Sequence, residues 1–359
     1  MKALMVTRYD ALGASSRLRH MQYAPALAQA GIEATFEPFF DGEYLARLYA
    51  GQPTSVPALG AYMHRVRQLR RAGGYDVLWL EKEALPWLPW ALEKRLLPRG
   101  IPLVVDFDDA VFHNYDLHRS GAVRRVLGDK IDRLMASAAL VTAGNPYLAA
   151  RARAAGAARV EVVPTVVDLD AYRAAPAPAP EEPVRIGWIG TPSTWGAYVE
   201  PLMPLLTRSA ADASARILAV GAGHAASAHP LLDSEPWSEA SEVSRIQAMS
   251  IGIMPLEDTP WARGKCGYKL LQYMACGLPV VASPVGVNAD IVEHGLNGFL
   301  AVSEAEWHAA ITTLLDDPGL RQRMGAAGRR KVEEHYALGV WAPRVADMLL
   351  GAAQGRAYQ

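Results

Sequence analysis

Residues 263–286, RGKCGYKLLQYMACGLPVVASPVG, read as a helix running into a buried strand, and they contain an Arg, two Lys and no carboxylate. The chain as a whole holds 36 Lys and Arg against 37 Asp and Glu, so this local positive charge calls for a partner. Gly264 and Gly267 permit close backbone approach. A helix starting at about Lys265 presents unbonded N–H groups and its positive dipole end, which together make an anion site. Lys265 and Lys269, a turn apart on one face, repel unless something negative lies beside them, and phosphate is the economical choice. Gln272, a further turn along, is too deep for the phosphate but placed to hydrogen-bond a hydroxyl-bearing group attached to it, such as a ribose.

Outward from this stretch, short apolar runs alternate with longer helical patterns, the signature of parallel sheets built from βαβ units. Upstream the strand candidates are 3–6, 32–36, 76–80, 102–107, 139–143 and 160–164. AAPAPAPEEP at 174–183 has no hydrophobic periodicity and reads as an extended linker. The pattern restarts with 184–190, 215–221, 251–255, 278–283 and 297–301. Two Rossmann-like domains are the simplest account, over 1–173 and 184–339. The closing segment reads as consecutive helices broken at Pro318 and near Pro343, and the last, over 340–359, is expected to cross back to the first domain.

A chain of 359 residues suits two cores better than one. With 51% hydrophobic and 20% charged residues it is globular, and a net charge of -1 gives no global attraction to nucleic acid or anionic membrane. Cys266 and Cys276 make neither a disulfide framework nor a zinc pattern, which suits a reducing cytoplasm. The N-terminus enters a strand with no signal-like h-region, and no run reaches the roughly 18 apolar residues of a membrane span. Within 62–99, Arg65, Arg67, Arg70 and Arg71, then Trp87 and Trp90 beside Lys94, Arg95 and Arg99, fit either a membrane-surface contact or a solvated helix face followed by a docked helix.

Further candidates stand at strand ends. VVDFDDAVFHN (104–114) ends in Asp106, Asp108 and Asp109, with His113 beyond, and so many like charges at one place suit a functional cluster or a helix cap. GWIGTPST supplies Gly187, Gly190, Thr191, Ser193 and Thr194, either at a ligand or in an ordinary strand-to-helix connection. YDALGASSRLRH sets Gly13, Ser15, Ser16 and Arg17 after the first strand, where the Ser could instead cap a helix and the Arg lie on the surface. Trp237 suits the core more than a pocket rim.

From Gly267 to Gly286 the sequence resembles retaining glycosyltransferases of the GT-B fold, family 4 in particular, whose E-x7-E motif runs into a similar GxPVVAS strand. The likeness continues through NADIVEHGLNGFLA (288–301) and DDPGLRQRMGAAGRRKVEEHY, and is best over about 184–336. It implies two Rossmann-like domains with parallel sheets facing a central cleft, and transfer of a sugar from a nucleotide-diphosphate-sugar donor to a hydroxyl of a glycan, lipid-linked or small-molecule acceptor. Retention of configuration and no metal or other cofactor are implied with it.

Both motif glutamates are replaced, the first by Gly264 and the second by Gln272, whose amide oxygen can still hold ribose. The family's base pair after the first strand of this domain is also missing. The resemblance makes Arg263 and Lys265, with the N–H groups near Gly267 and Tyr268, its substitutes at the diphosphate. Asp108 and Asp109 stand for the family's His-Asp pair, Asp108 orienting the acceptor hydroxyl or stabilising positive charge on the sugar. The resemblance also implies that the Gly13 loop faces the donor phosphate and the acceptor, with Arg17 reading an anionic acceptor or a phosphate. Two rivals share the features: a GT-B nucleotide-sugar epimerase or hydrolase, and a non-catalytic nucleotide-sugar-binding protein. A cytoplasmic location, with peripheral contact at the inner membrane face, is expected.

Overall fold

The computed structural model describes residues 1–42, 44, 47, 55–174 and 183–355. The chain divides into two compact units, one of Met1–Thr165 with Gly264–Cys266 and Gly339–Gln359, the other of Val166–Arg263 with Gly267–Leu338. Most of the Pro/Ala-rich stretch expected as a linker, 175–182, lies outside the described residues.

The first unit is built on a six-stranded parallel sheet of β1 (Lys2–Tyr9), β2 (Glu33–Phe40), β3 (Val77–Glu81), β4 (Leu103–Phe107), β5 (Leu140–Ala143) and β6 (Val160–Val162). Its order is β2-β1-β3-β4-β5-β6. Ala3 pairs with Ala34 on one side and Val77 on the other, so the order reverses at β1 and leaves a crevice past the carboxyl ends of β1 and β3. Runs such as Val77–Glu81 are fully buried because helices cover both faces, which explains the continuous apolar reading.

The second unit has β7 (Arg185–Ile189), β8 (Arg216–Val220), β9 (Leu232–Glu235), β10 (Ile251–Met254), β11 (Val280–Ala282) and β12 (Gly298–Leu300). They form another six-stranded parallel sheet, ordered β12-β11-β10-β7-β8-β9. Alternate residues feed separate cores on its two faces. Ile186, Trp188, Ile217 and Ala219 pack on one side, and Ile189, Leu218 and Val220 on the other. Here the order turns at β7, between β10 and β8.

Three expectations need correcting. β9, sequence LDSE, is a sheet edge with partly exposed side chains, so it lacks the apolar run that marks the other strands. The helix expected from about Lys265 begins at Tyr268, with Gly267 as a left-handed N-cap (φ 67). Lys265 and Lys269 therefore do not share a helical face. Pro318 does start a new helix, Pro318–His335, but Pro343 lies inside Leu338–Ala353, early enough to forfeit one hydrogen bond without ending it. The chain breaks instead at Tyr336–Ala337, where Val167 donates to Tyr336 O and accepts from Leu338 N, both at 2.9 Å.

Candidate active site

In the first unit β3 ends at Glu81, and Lys82 turns sharply into a left-handed backbone conformation (φ 62), uncommon for a residue with a side chain. The turn buries its ammonium group among acids. Lys82 Nζ lies 2.8 Å from Asp108 Oδ1, 3.7 Å from Asp109 Oδ2 and 3.9 Å from Glu81 Oε1, and donates to Ser15 Oγ at 3.2 Å. Burial would push the Asp108 carboxyl up, but Lys82 and the Ser15 hydroxyl outweigh it and hold the group well below the usual carboxylate range. Burial works against the Lys82 charge in the same way, and Asp108, Asp109 and Glu81 raise its pKa overall.

Asp106 does not join this group. Its side chain is spent inside the sheet on Arg19 (2.6 and 2.9 Å) and Thr142 (2.6 Å). His113 is likewise committed, to Asp116 and to the Tyr147 hydroxyl, each at 2.8 Å. The loop after β1 supports the cluster from below. Gly13 caps the short helix Ala14–Arg19, and a Cβ there would stand 2.4 Å from that of Tyr9. Ser16 Oγ donates to Glu81 at 2.6 Å and accepts from Tyr9 N at 3.0 Å. Arg17 reaches back to Ala11 O at 2.8 Å, fastening the loop.

Gly264–Cys266 belongs to the same unit. Asn145 Nδ2 donates to Gly264 O (2.9 Å) and Lys265 O (3.0 Å), while its Oδ1 caps the helix Pro146–Ala154. The Cys266 thiol donates to Asp108 O at 3.1 Å. Gly264 packs so closely that a Cβ would lie 2.5 Å from that of Ala110. The Lys265 backbone is thereby pinned beside the end of β4, and among the described residues its side chain makes no ion pair.

In the second unit Arg263 forms a bidentate pair with Asp258 (2.7 and 2.9 Å), so its charge is largely answered within its own loop. Gly190, at the end of β7, lies under Lys269. A Cβ there would stand 3.0 Å from Lys269 Cε and 2.5 Å from the Trp188 ring, over which Lys269 Nζ sits at 5.8 Å. Gly221 (φ 81) abuts Gly190 O, so the loops after β7 and β8 meet backbone to backbone beside Trp237. Thr191 caps the following turn, its hydroxyl shared with Ser193 (3.1 Å) and Thr194 (3.2 Å). That geometry is a helix cap in its own right.

Tyr268 and Gln272 share a network that the sequence did not announce. Buried Gln272 donates from Nε2 to the Tyr172 hydroxyl at 2.7 Å, and the Tyr268 hydroxyl donates to it at 3.4 Å. Tyr172 in turn donates to Glu242, which also accepts from Trp237 Nε1 at 2.6 Å. The amide nitrogen of Gln272 is thus engaged inside the unit, which fixes how its oxygen is turned.

Lys82, Tyr172 and Glu242 are the residues that sequence reasoning missed. A signal existed only for Lys82: Glu81-Lys82-Glu83 directly follows a strand apolar enough to be buried. Tyr172 and Glu242 are distant in sequence and carry no local motif.

Residues 245–331 match the family described as Glycosyl transferases group 1. Over 242 residues the chain is 27% identical to a D-inositol 3-phosphate glycosyltransferase of Kineococcus radiotolerans, an alignment covering 56% of this chain and 53% of that protein. The chain thus spans about half the length of that curated relative. HepE of Anabaena, solved in complex with UDP-glucose, is similar with a TM-score of 0.70 and 18% identity, over 98% of this chain and 100% of that one. A sucrose-phosphate synthase from Thermosynechococcus elongatus gives 0.67 and 16%, over 97% and 98%. At these identities the two solved structures speak to fold. The chain has the fold of GT-B glycosyltransferases, and within it residues 245–331 match the group 1 glycosyltransferase family.

Proposed function

We propose that the protein is a glycosyltransferase that moves a sugar from a nucleotide-diphosphate-sugar donor to an acceptor hydroxyl, with retention of configuration and without a metal. The observation that carries the reading is the Lys82–Asp108 pair at the ends of β3 and β4 (2.8 Å). A carboxylate held ionised by a buried ammonium makes a poor proton-abstracting base at neutral pH and a good fixed acceptor. Asp108 in this reading aligns the acceptor hydroxyl or faces positive charge developing on the sugar, with Asp109 beside it. An epimerase or hydrolase needs a basic group at that place, so the pair favours transfer.

The donor half rests on the group 1 segment. Lys269 over Gly190, the N–H groups of Gly267 and Tyr268, and Lys265 with Arg263 supply positive character for the diphosphate, while Gln272 offers its oxygen to ribose. Gly13 and Arg17 shape the acceptor loop, and Thr191 and Ser193 offer backbone and hydroxyl groups on the donor side. As the anomeric C–O bond to the diphosphate breaks, the acceptor oxygen bonds to the sugar carbon, and its proton passes to the leaving phosphate. Stabilising that leaving group is the main catalytic task. The enzyme works in the cytoplasm, where both cysteines stay reduced.

HepE was solved with UDP and with UDP-glucose, which makes UDP the first member of a panel of nucleoside diphosphates to test by thermal shift. At about 100 times its Kd a ligand of the folded state stabilises by roughly 2.7 kcal/mol, which is readily seen. One diphosphate should raise Tm, and Lys265→Glu should remove the rise. No shift with any of them sinks the donor assignment, and release of free sugar without acceptor product would point to hydrolysis.

A further inference from the structure

Several large apolar side chains of the first unit face solvent. Leu59 (66% exposed) and Met63 (53%) lie one turn apart on the helix Ser55–Arg71. Trp87 (51%), Leu92 (45%) and Leu117 (58%) belong to three other segments. Contacts draw these segments together. The Tyr62 hydroxyl donates to Pro86 O, which sets the Leu59–Met63 turn beside Trp87. Trp87 N donates to the Tyr115 hydroxyl at 3.0 Å, and its ring meets Tyr115 and His118 edge-on at 5.1 and 5.8 Å, on either side of Leu117.

Trp87 also has a left-handed backbone (φ 61), an outlier for so bulky a residue, and the conformation leaves half of its indole in water. The helices around it, Ser55–Arg71, Trp90–Leu96 and Gly121–Leu127, expose Arg67, Lys94, Arg95, Arg124 and Arg125. Their one carboxylate, Glu93, is buried against Lys130 at 2.8 Å. In a chain of net charge -1 this apolar and basic face is complementary to one chemistry.

We propose that the face docks on an anionic lipid bilayer, with Trp87 and the aliphatic side chains entering the headgroup boundary and the bases meeting lipid phosphates. The loops carrying Trp87 and Leu117 follow β3 and β4, as do Lys82 and Asp108, so the docked bilayer lies at the same edge of the sheet as the acceptor carboxylates. A lipid-linked acceptor follows from this placement. That last step rests on the sugar-transfer reading; docking itself is measured without donor or acceptor, so the two fail separately.

The test is co-sedimentation of the full chain with vesicles of phosphatidylcholine, or of equal parts phosphatidylcholine and phosphatidylglycerol. Binding to the anionic vesicles should be about tenfold or more the stronger and should weaken with salt. Leu59→Ser with Met63→Ser, and separately Lys94→Glu with Arg95→Glu, should each cut it about tenfold while leaving Tm unchanged, since all four side chains are exposed. Arg323→Glu, on a helix of the second unit, should bind as the parent does. Equal partition onto both vesicle types, no binding to the anionic ones, or unaltered binding by both double variants overturns the proposal. So does self-association on sedimentation that the serine variant abolishes, which would make the face a contact with a second copy.

Discussion

Lys82 holds its left-handed backbone at a position where its ammonium group answers Asp108, Asp109 and Glu81 together. The Asp108 pKa falls from 3.8 to about 2, burial opposing and Lys82 prevailing. Because the folded value lies below the unfolded one, ionised Asp108 stabilises the fold above pH 3.8, and that contribution is lost as pH falls towards about 2. The Tm difference between the parent and Asp108→Asn should therefore shrink across this window. Lys82→Met should raise the Asp108 pKa, move the acid limb of the transfer rate to higher pH and lower the rate roughly 100-fold. Lys82→Arg should restore part of both. An unmoved acid limb in Lys82→Met would remove Lys82 from any positioning role. The strand-end acids 106–109 were legible in the sequence, but their division of labour was not. Asp106 is claimed by Arg19, 87 residues away in sequence, and only the folded chain brings the two together.

The helix Tyr268–Ala275 shows how much an element owes to its neighbours. Its apolar residues and glycine-rich start were readable, and the structure keeps both while moving the first turn to Tyr268. Gly267 takes φ 67, and a Cβ there would meet Ile291 Cδ1 at 2.4 Å. Such a left-handed, closely packed cap ends the preceding segment as well as starting the helix. Gln272 on this helix is tied to Tyr172, and Tyr172 to Glu242. Tyr172→Phe leaves the Gln272 amide and the Glu242 carboxylate each short of a partner, and should destabilise the second unit by about 1–3 kcal/mol in urea titrations. If Gln272 oxygen reads ribose, the same change should also weaken nucleotide binding. Full stability in the variant would show that the network is ornamental to the fold.

At the scale of the whole molecule, chain order and spatial membership differ. Gly339–Gln359 follows the second unit in sequence yet clusters with the first, and Ala342, Val345, Ala346, Met348 and Leu349 of its helix are buried. Ending the chain at Ala337 should lower the thermal transition of the first unit by several degrees or more, since each large apolar side chain buried is worth roughly 1.5–3 kcal/mol. The second unit's transition should stay where it was. Calorimetry resolves the two, and equal shifts in both would refute the assignment. By itself the sequence determined the two parallel α/β sheets, because strands covered on both faces must be continuously apolar and their spacing leaves room for a helix between each pair. It also marked the glycine-rich basic turn at 264–269 and the acids at 106–109, because those residue types are costly to place together without a use. Tertiary structure alone decided the polar edge strand β9, the unit to which Gly264–Cys266 and the last helix belong, and the pairing of Lys82 with Asp108 and of Tyr172 with Gln272. Those depend on contacts between distant segments, where distance along the chain carries no information about distance in space.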